Sequence, residues 1–374
     1  MIILEEPYVS EMLIRYLEES NTPVLENNFA KRLSSNKINL KSEFDFIGGY
    51  CQSKKIYTVS EHALEWINLA LNDYELNEQI ALLKNKAAFR SACQHLYQDF
   101  FFEELSYTEL FTFDISELQL PLVLKPSVGF LSVSVYTILC KEDWDKALIE
   151  ILKNIEEQTE MFPDTVFRSD TFILESYIKG REFAVDLYFC DKEPVIINIF
   201  EHLFSSVKDV SDRLYITSKE IFDNYLTLFT EYINHLNTVL DLDNIPVHIE
   251  LRVDESNNIL PIEINPLRFA GMCLNEIHFY IAEKHPLQYY FSHTKPNYKT
   301  MWEGKENEFF CFSILEKNEH SEDSSSNIAS LMRNYSNILE LRMIEHPKLD
   351  IQAFVFSKTS NKKEFSDILE LRIR

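Results

Sequence analysis

Glu250, Glu263 and Asn265 are the residues whose types and spacing best suit the binding of a cation. They lie in segment 245–271, IPVHIELRVDESNNILPIEINPLRFAG, where polar residues alternate with Val, Ile and Leu on both sides of a polar stretch. Alternation with a period of two is typical of a strand with one buried and one polar face. The segment therefore predicts a hairpin that carries all three side chains on its polar face.

The position of the turn sets which residues face each other in this hairpin. A turn centred on 256–257 places Glu250 opposite Glu263, and His248 opposite Asn265. A turn centred one residue later changes these pairs and leaves the same residues on that face. Carboxylates that face each other across strands repel. A divalent cation would offset the repulsion, and Glu and Asn oxygens suit Mg²⁺, especially when phosphates complete its shell.

The alternative is a solvated hairpin face, in which water screens the carboxylates and Arg252 is a surface partner. The segment 265–271, which follows at once, supplies a turn with another cation, Arg268. This second charged group favours a functional site over a merely solvated face.

The bulk composition excludes several classes of protein. The chain has 374 residues, 45% of them hydrophobic, so two or three globular domains are expected. A net charge of −24 disfavours nucleic-acid and anionic-membrane partners, since both need a basic surface. We see no secretory signal, no apolar run of the ~20 residues that span a bilayer, and no zinc or disulfide spacing among six cysteines. We expect a cytoplasmic protein with reduced thiols, and the sequence leaves an oligomer open.

Strands and helices alternate in residues 1–80, which predicts an α/β unit. The expected strands are 2–4, 23–25 and 44–47, and the expected helices are 11–19 and 61–71.

Further elements follow from the patterns beyond residue 80. Helices are expected at 84–96, 143–158, from a Thr217/Glu220 capping box through 236, at 274–283 and at the C-terminus. Strands are expected at 122–125, 133–139, 172–174, 183–189, 195–200, 309–315, 338–344 and 351–356. A linker is expected near 286–305 and a polar loop at 321–327.

Four segments, taken in order, are similar to the ATP-grasp superfamily, and to its carboxylate–amine ligases in particular. Lys86 and Lys125 match two nucleotide-binding lysines, and 175–182 (ESYIKGRE) matches a hinge of the form Glu-x-x-Ile/Leu-x-Gly-x-Glu. Glu250, followed a strand later by Glu263-Ile-Asn265, matches the acidic metal ligands. The resemblance covers about residues 80–271.

The resemblance implies a multidomain α/β and α+β fold. An N-terminal α/β domain of the kind that precedes ATP-grasp folds would comprise 1–80. A two-lobed ATP-grasp domain would comprise 81–300, with 120–180 as its smaller nucleotide lobe. A small α+β segment, 301–374, would close the chain.

The resemblance also implies ATP and Mg²⁺, or alternatively Mn²⁺, as cofactors. Nucleotide-binding roles fall to Lys86, Lys125, Gly129, Ser132, Ser134, Glu175, Ser176, Tyr177, Ile178 and Glu182. Metal ligands would be Glu250, Glu263 and Asn265, and substrate contacts would be Arg268, His248 and Arg252. Arg268 and Lys125 would be catalytic. In these roles the lysines contact phosphates, the 129–134 loop covers them, the 175–178 backbone binds adenine and Glu182 accepts from the ribose.

Three functions are compatible with this set. The first is an ATP-dependent ligase that joins a small-molecule carboxylate to an amine through an acyl phosphate, on amino acids or small peptides. The second is an ATP-binding regulatory or partner-binding module without turnover, which Ser134 favours because many relatives have glycine in this loop. The third is another ATP-dependent transfer whose product is a phosphate ester. Retention of both lysines and all metal-ligand candidates favours an enzyme.

Overall fold

The protein is described by a computed structural model that covers residues 1–33, 37–128, 135–159, 171–206, 209, 211–317, 331–346 and 349–371. Its contacts divide the chain into two compact units. The larger unit comprises Met1–Asn77, Arg181–Val207 and Asp212–Arg374, and the smaller unit comprises Glu78–Gly180 and Lys208–Ser211.

The larger unit begins with a parallel sheet, as the alternating elements predict. Its strands are β1 (Ile2–Ile3), β2 (Val24–Leu25), β3 (Leu40–Lys41) and β4 (Tyr57–Thr58), in the order β3-β2-β1-β4. The helices that accompany it are α1 (Glu11–Ser20), α2 (Asn28–Leu33), α3 (Glu43–Ser53) and α4 (Ala63–Ala70). Helix α5 (Tyr74–Lys84) comes next, and the division of the chain into two units, between Asn77 and Glu78, falls within it.

One of the expected strands, 44–47, is wrong, because these residues lie in α3. Ser42 caps this helix by accepting a hydrogen bond from the backbone N–H of Asp45. Phe44 is 85% exposed whereas Phe46 is fully buried, so the apolar run has one buried side. The capped start and the single buried face suit an amphipathic helix, and they outweigh the two glycines in it.

The smaller unit contains an antiparallel sheet in the order β5-β8-β6-β7. Its strands are β5 (Phe102–Ser106), β6 (Leu122–Pro126), β7 (Tyr136–Ile138) and β8 (Thr171–Ser176). Its helices are α6 (Lys86–Cys93), α7 (Tyr107–Leu110) and α8 (Lys141–Thr159), with a 3₁₀ turn at Gln94–Leu96. Trp144 and Ile151 of α8 pack with Leu124 and Leu174 of the sheet in the core of this unit.

An eight-stranded antiparallel sheet dominates the larger unit, in the order β13-β12-β9-β10-β11-β14-β16-β15. Its strands are β9 (Arg181–Cys190), β10 (Glu193–Leu203), β11 (Leu214–Ser218), β12 (Pro246–Val253), β13 (Ile259–Pro266), β14 (Phe309–Glu316), β15 (Ile338–Met343) and β16 (Ile351–Thr359). Its helices are α9 (Lys219–Leu240), α10 (Ile277–Ala282), α11 (Pro286–Ser292) and α12 (Lys363–Leu369), with 3₁₀ turns at Leu274–Glu276 and Met332–Asn334. The expected strands from 172 onward are thus present, most of them longer than predicted.

The C-terminal strands β14, β15 and β16 belong to the same sheet as the hairpin β12–β13. Segment 301–374 therefore contributes to the large sheet rather than forming a sheet of its own. The three-domain division of the chain stays a prediction beside the two compact units.

Two local expectations differ from the structure. The cap of α9 is Ser218, the last residue of β11, whose Oγ accepts from the Ile221 N–H at 3.2 Å, whereas the predicted cap, Thr217, lies one residue earlier in that strand. Helix α11 occupies part of the expected 286–305 linker, with Pro286 at its first turn, where proline is well tolerated. The expected 321–327 loop lies outside the described residues. None of the helices in the described part of the chain is long and apolar enough to span a bilayer.

Candidate functional site

The hairpin β12–β13 has the register that places its carboxylates together. Glu250 is the cross-strand partner of Glu263, and His248 is the partner of Asn265. The strand pairs nearest the turn centre on Ser256, half a residue before the predicted centre, and a register shift between Glu250 and Leu251 restores the predicted pairs. The predicted face of the hairpin is therefore confirmed, and the bulge is the feature that the pattern did not show.

The two hairpin carboxylates interact unfavourably, as expected for like charges. Burial raises the pKa of Glu250, and the nearby charge of Glu263 raises it further. Asn265 donates a hydrogen bond from Nδ2 to Glu263 Oε1 at 2.9 Å. Two carboxylates and an amide oxygen on one face are a suitable oxygen donor set for Mg²⁺. Within the described residues, no group of three or more His, Cys, Asp and Glu side chains is arranged for a metal.

His248 is held between two carboxylates on this face. Its Nδ1 lies 2.8 Å from Asp186 Oδ1, and its Nε2 lies 3.5 Å from Glu250 Oε1. Burial alone would lower the pKa of His248, but the hydrogen bonds to Asp186 and Glu250 outweigh it and raise the pKa to about 9. The imidazole is thus a buried cation that partly compensates the hairpin carboxylates. Its expected contact with substrate stays a prediction.

Arg268 lies in the turn that follows β13, where Leu267 has a positive φ of 63°. Its Nη2 is 3.1 Å from Glu61 Oε1, and its Nη1 donates to the Phe269 carbonyl at 3.2 Å. Burial opposes the charge of Arg268, but Glu61 raises its pKa further above the usual value. Arg268 thus has a partly buried, charged guanidinium and follows the hairpin directly in the chain. Its carboxylate partner, Glu61, lies in the N-terminal part of the same unit.

Glu182 is engaged by two cationic side chains. Arg252 Nη2 lies 2.8 Å from Glu182 Oε2, and His202 Nδ1 lies 2.9 Å from Oε1. Burial would raise the pKa of Glu182, but His202 and Arg252 lower it overall. The structure thus pairs the expected ribose ligand with an expected substrate contact, and both roles stay predictions. His202 was not predicted, because its pairing with Glu182 depends on the β9–β10 register.

In the smaller unit, Glu175 lies between two buried cations. Lys125 Nζ is 2.7 Å from Oε1, and Arg90 Nε is 2.7 Å from Oε2. Burial opposes ionisation of Glu175, but Arg90 and Lys125 lower its pKa to about 2. Burial lowers the pKa of Lys125, while the attraction of Glu175 works against that shift. Arg90 was missed, although it lies one helical turn after Lys86 in the predicted helix.

Lys86 occupies the first position of α6, where Asn85 caps the helix. Its backbone N–H donates to the carbonyl of Ser127, which follows β6. Its charge, together with that of Arg90, lowers the pKa of Lys125, so the three cations lie close enough to interact. Lys86, Arg90 and Lys125 thus group three cationic side chains around Glu175, and such a group suits a phosphate ligand.

The hinge segment 175–182 is only partly available to a ligand through its backbone. The Ser176 N–H donates to the Phe101 carbonyl and the Tyr177 N–H to the Pro121 carbonyl, so both are used within the smaller unit. The predicted adenine contacts of 175–178 therefore cannot rest on these two donors. Gly129, Ser132 and Ser134, which we expect to cover phosphates, lie outside the described residues.

Comparisons with known proteins agree with this architecture. Residues 118–276 match the family model described as an ATP-grasp domain. No curated protein matches the sequence. Among solved structures, the chain is similar to L-amino acid ligase from Bacillus licheniformis, with a TM-score of 0.71, 14% identity, and 98% of this chain and 95% of that chain covered.

Two other solved structures have similar folds. N5-carboxyaminoimidazole synthase from Aspergillus clavatus, in complex with ADP and 5-aminoimidazole ribonucleotide, has a TM-score of 0.63, 14% identity and coverages of 99% and 96%. Biotin carboxylase from Campylobacter jejuni has a TM-score of 0.63, 12% identity and coverages of 98% and 89%. At these identities the likeness shows the fold, and it confirms the expected fold class.

Proposed function

We propose that the protein, whose residues 118–276 match the model of an ATP-grasp domain, is an ATP- and Mg²⁺-dependent carboxylate–amine ligase. The substrate carboxylate would attack the γ-phosphorus of ATP and release ADP. The amine would then attack the carbonyl carbon of the acyl phosphate, lose a proton and release phosphate, which leaves an amide. This chemistry needs no side-chain nucleophile, since positioning and charge stabilisation are sufficient.

The observation that carries this proposal is the pairing of Glu250 with Glu263 beside Asn265. A protein gains nothing in stability from two carboxylates directly opposite each other. The arrangement is explained if these three residues hold Mg²⁺, or Mn²⁺ in its place. The ion would neutralise phosphate charge when bound.

The remaining residues have roles that suit anionic substrates. Lys125 and Lys86 would contact ATP phosphates, and Glu175 keeps the Lys125 ammonium in place. Arg268 would bind the substrate carboxylate, for which a guanidinium fork is well suited. Arg268 would exchange its contact with Glu61 for the substrate or keep both, because a guanidinium has five N–H donors.

An amino acid or a small peptide is the proposed substrate, because such a molecule carries both reacting groups. The fold likeness to an L-amino acid ligase supports this choice by analogy alone.

One assay tests the proposal. The protein is incubated with ATP, Mg²⁺ and pools of amino acids, and ADP, phosphate and new masses are followed. ADP formation that depends on the amino acids, with a product one water lighter than the sum of two substrates, supports the ligase. ATP binding without substrate-dependent turnover across broad pools would instead support a nucleotide-binding module, and a phosphorylated product would support transfer to a hydroxyl.

A further inference from the structure

Asp186 of β9 is a fully buried carboxylate that we did not expect from the sequence to have a role. It is the cross-strand partner of His248 on one side and of Asn198 on the other. Its Oδ1 accepts from His248 Nδ1 at 2.8 Å and from the Ala270 N–H at 2.6 Å. Its Oδ2 accepts from Asn198 Nδ2 at 2.9 Å. A carboxylate only accepts, so His248 carries its proton on Nδ1.

A buried carboxylate is a costly way to fill a sheet interior. Proteins in which apolar residues of similar size replace buried ionic groups are often as stable as the original protein or more stable. The three donors that Asp186 binds offset its loss of hydration. The benefit of the carboxylate must therefore be sought in what its donors hold.

Two of these donors lead directly to the proposed site. The opposite ring nitrogen of His248 faces Glu250 at 3.5 Å, so the orientation set by Asp186 also sets which atom the metal-ligand candidate meets. Ala270 lies two residues after Arg268, so its hydrogen bond to Asp186 fastens the turn that carries this arginine. One carboxylate thus bonds to both the metal-ligand strand and the substrate turn.

The third donor anchors Asp186 itself. Asn198 also donates to the Asn275 carbonyl at 3.3 Å, and its Oδ1 lies 3.0 Å from His278 Nδ1. Burial lowers the pKa of His278 to about 3, so this histidine is neutral and can donate to the amide oxygen. The hydrogen-bond network therefore extends from β9 through β10 to α10, and Asn198 and His278 add no charged group to it.

We propose that Asp186 is a positioning residue, which orients His248 against Glu250 and holds the Arg268 turn through the Ala270 N–H. This inference rests on the proposed function for its consequence in catalysis, whereas the positions that it assigns can be tested without turnover.

Hydrogen–deuterium exchange of the metal-free protein tests the structural half. In Asp186→Ala, the amide of Ala270 should exchange at least about tenfold faster, because its acceptor is gone. In Asp186→Asn, the side-chain oxygen still accepts, so most of the protection should return. The control is Ser313→Ala, which removes a buried hydrogen bond to Tyr335 in the same sheet and should leave Ala270 unchanged.

Mn²⁺ binding to the same variants, measured by electron paramagnetic resonance, tests the effect on the site. Partners that orient a metal ligand commonly contribute about 10-fold or more in affinity, so Asp186→Ala should weaken Mn²⁺ binding by that factor. Asp186→Asn should show a smaller loss of Mn²⁺ affinity than Asp186→Ala. The control Ser313→Ala should bind Mn²⁺ as tightly as the wild type. In turnover, Asp186→Ala should raise the KM for the carboxylate substrate more than the KM for ATP.

Unchanged Ala270 exchange and unchanged Mn²⁺ affinity in Asp186→Ala would overturn the inference. If that variant does not fold, Asp186→Asn decides: Mn²⁺ affinity equal to that of the wild type would overturn it, and an intermediate loss would support it. If the wild type shows no turnover but the Ala270 amide exchanges faster in Asp186→Ala, the ligase proposal is rejected and the positioning role of Asp186 is supported.

Discussion

Glu175 and Glu250 are both buried carboxylates, and their surroundings shift their pKa values in opposite directions. Lys125 and Arg90 outweigh burial at Glu175 and lower its pKa to about 2. At Glu250, burial and Glu263 act together and raise the pKa. Glu175 therefore already has two cationic partners, whereas the repulsion between Glu250 and Glu263 is what the proposed Mg²⁺ would offset.

Glu263→Gln should remove Mg²⁺-dependent turnover, with a loss of roughly 10²-fold or more, because a neutral amide is a poorer Mg²⁺ ligand and charge stabilisation is lost. The fold should stay intact, since the change also removes the repulsion with Glu250. ATP turnover against Mg²⁺ concentration and thermal unfolding measure the two effects. Glu255→Gln, at an exposed position in the turn of the same hairpin, is the control and should behave as wild type. Unchanged activity in Glu263→Gln would reject the metal assignment.

Glu175→Gln should destabilise the smaller unit at pH 7, because it leaves Lys125 and Arg90 buried beside a neutral group. A folded-state pKa lowered from 4.5 to about 2 contributes stability that is present above pH 4.5 and is lost as the pH falls toward 2. The difference in urea midpoint between wild type and variant should therefore be largest near pH 7 and shrink between pH 4.5 and 2. A difference that stays constant over this range would show that the charge of Glu175 does not matter.

At the scale of elements, the start of α9 shows how backbone geometry decides which of two neighbouring residues caps a helix. Ser218 and Thr217 are adjacent and both have a hydroxyl that could cap a helix. Ser218 Oγ accepts from the Ile221 N–H, whereas Thr217 Oγ1 is buried and has no hydrogen-bond partner among the described residues. The last residues of β11 determine which hydroxyl faces the first turn.

Ser218→Ala should lower the free energy of unfolding by about 1 kcal/mol, as is usual for the loss of a helix cap. Thr217→Val is the matched change, and it should be neutral or slightly stabilising because it removes a buried hydroxyl without a partner. Urea unfolding of the two variants gives the comparison. A loss in Thr217→Val with none in Ser218→Ala would support the predicted Thr217/Glu220 capping box instead.

At the scale of the molecule, the C-terminal strands complete the large sheet of the larger unit. Strand β14 pairs with β11 on one side and with β16 on the other. Phe310, Phe312, Phe354 and Phe356 of β14 and β16 are all fully buried or nearly so. The last part of the chain therefore stabilises the same sheet that carries Glu250 and Glu263.

A chain that ends after residue 335 should lose the cooperative unfolding of the larger unit. It would expose β14, remove one of its two partners and leave its phenylalanines in water. Circular dichroism during heating and limited proteolysis measure this loss, and a chain shortened only by 372–374 is the control. A truncated chain with an unchanged transition would instead favour an independent C-terminal segment.

Much of this protein follows from local pattern and spacing. The α/β start, the hairpin face and the positions of most strands are predictable because period-two and helical patterns record which side of an element is buried. The prediction of a strand at 44–47 was wrong, because a short apolar run fits a strand or a helix equally well until its cap and burial are known. Arg90 and His202 were missed because their carboxylate partners lie 85 and 20 residues away in the chain.

The sequence by itself determined the face on which Glu250, Glu263 and Asn265 lie, because that face follows from local alternation. The order of its motifs indicated the resemblance to ATP-grasp folds. The tertiary structure alone decided which partner each charged group has. Glu175 holds Lys125 and Arg90, Glu182 holds Arg252 and His202, and Asp186 holds His248. Such pairs form across strands and between distant elements, so strand order, register and burial select them, and these are properties of the folded chain.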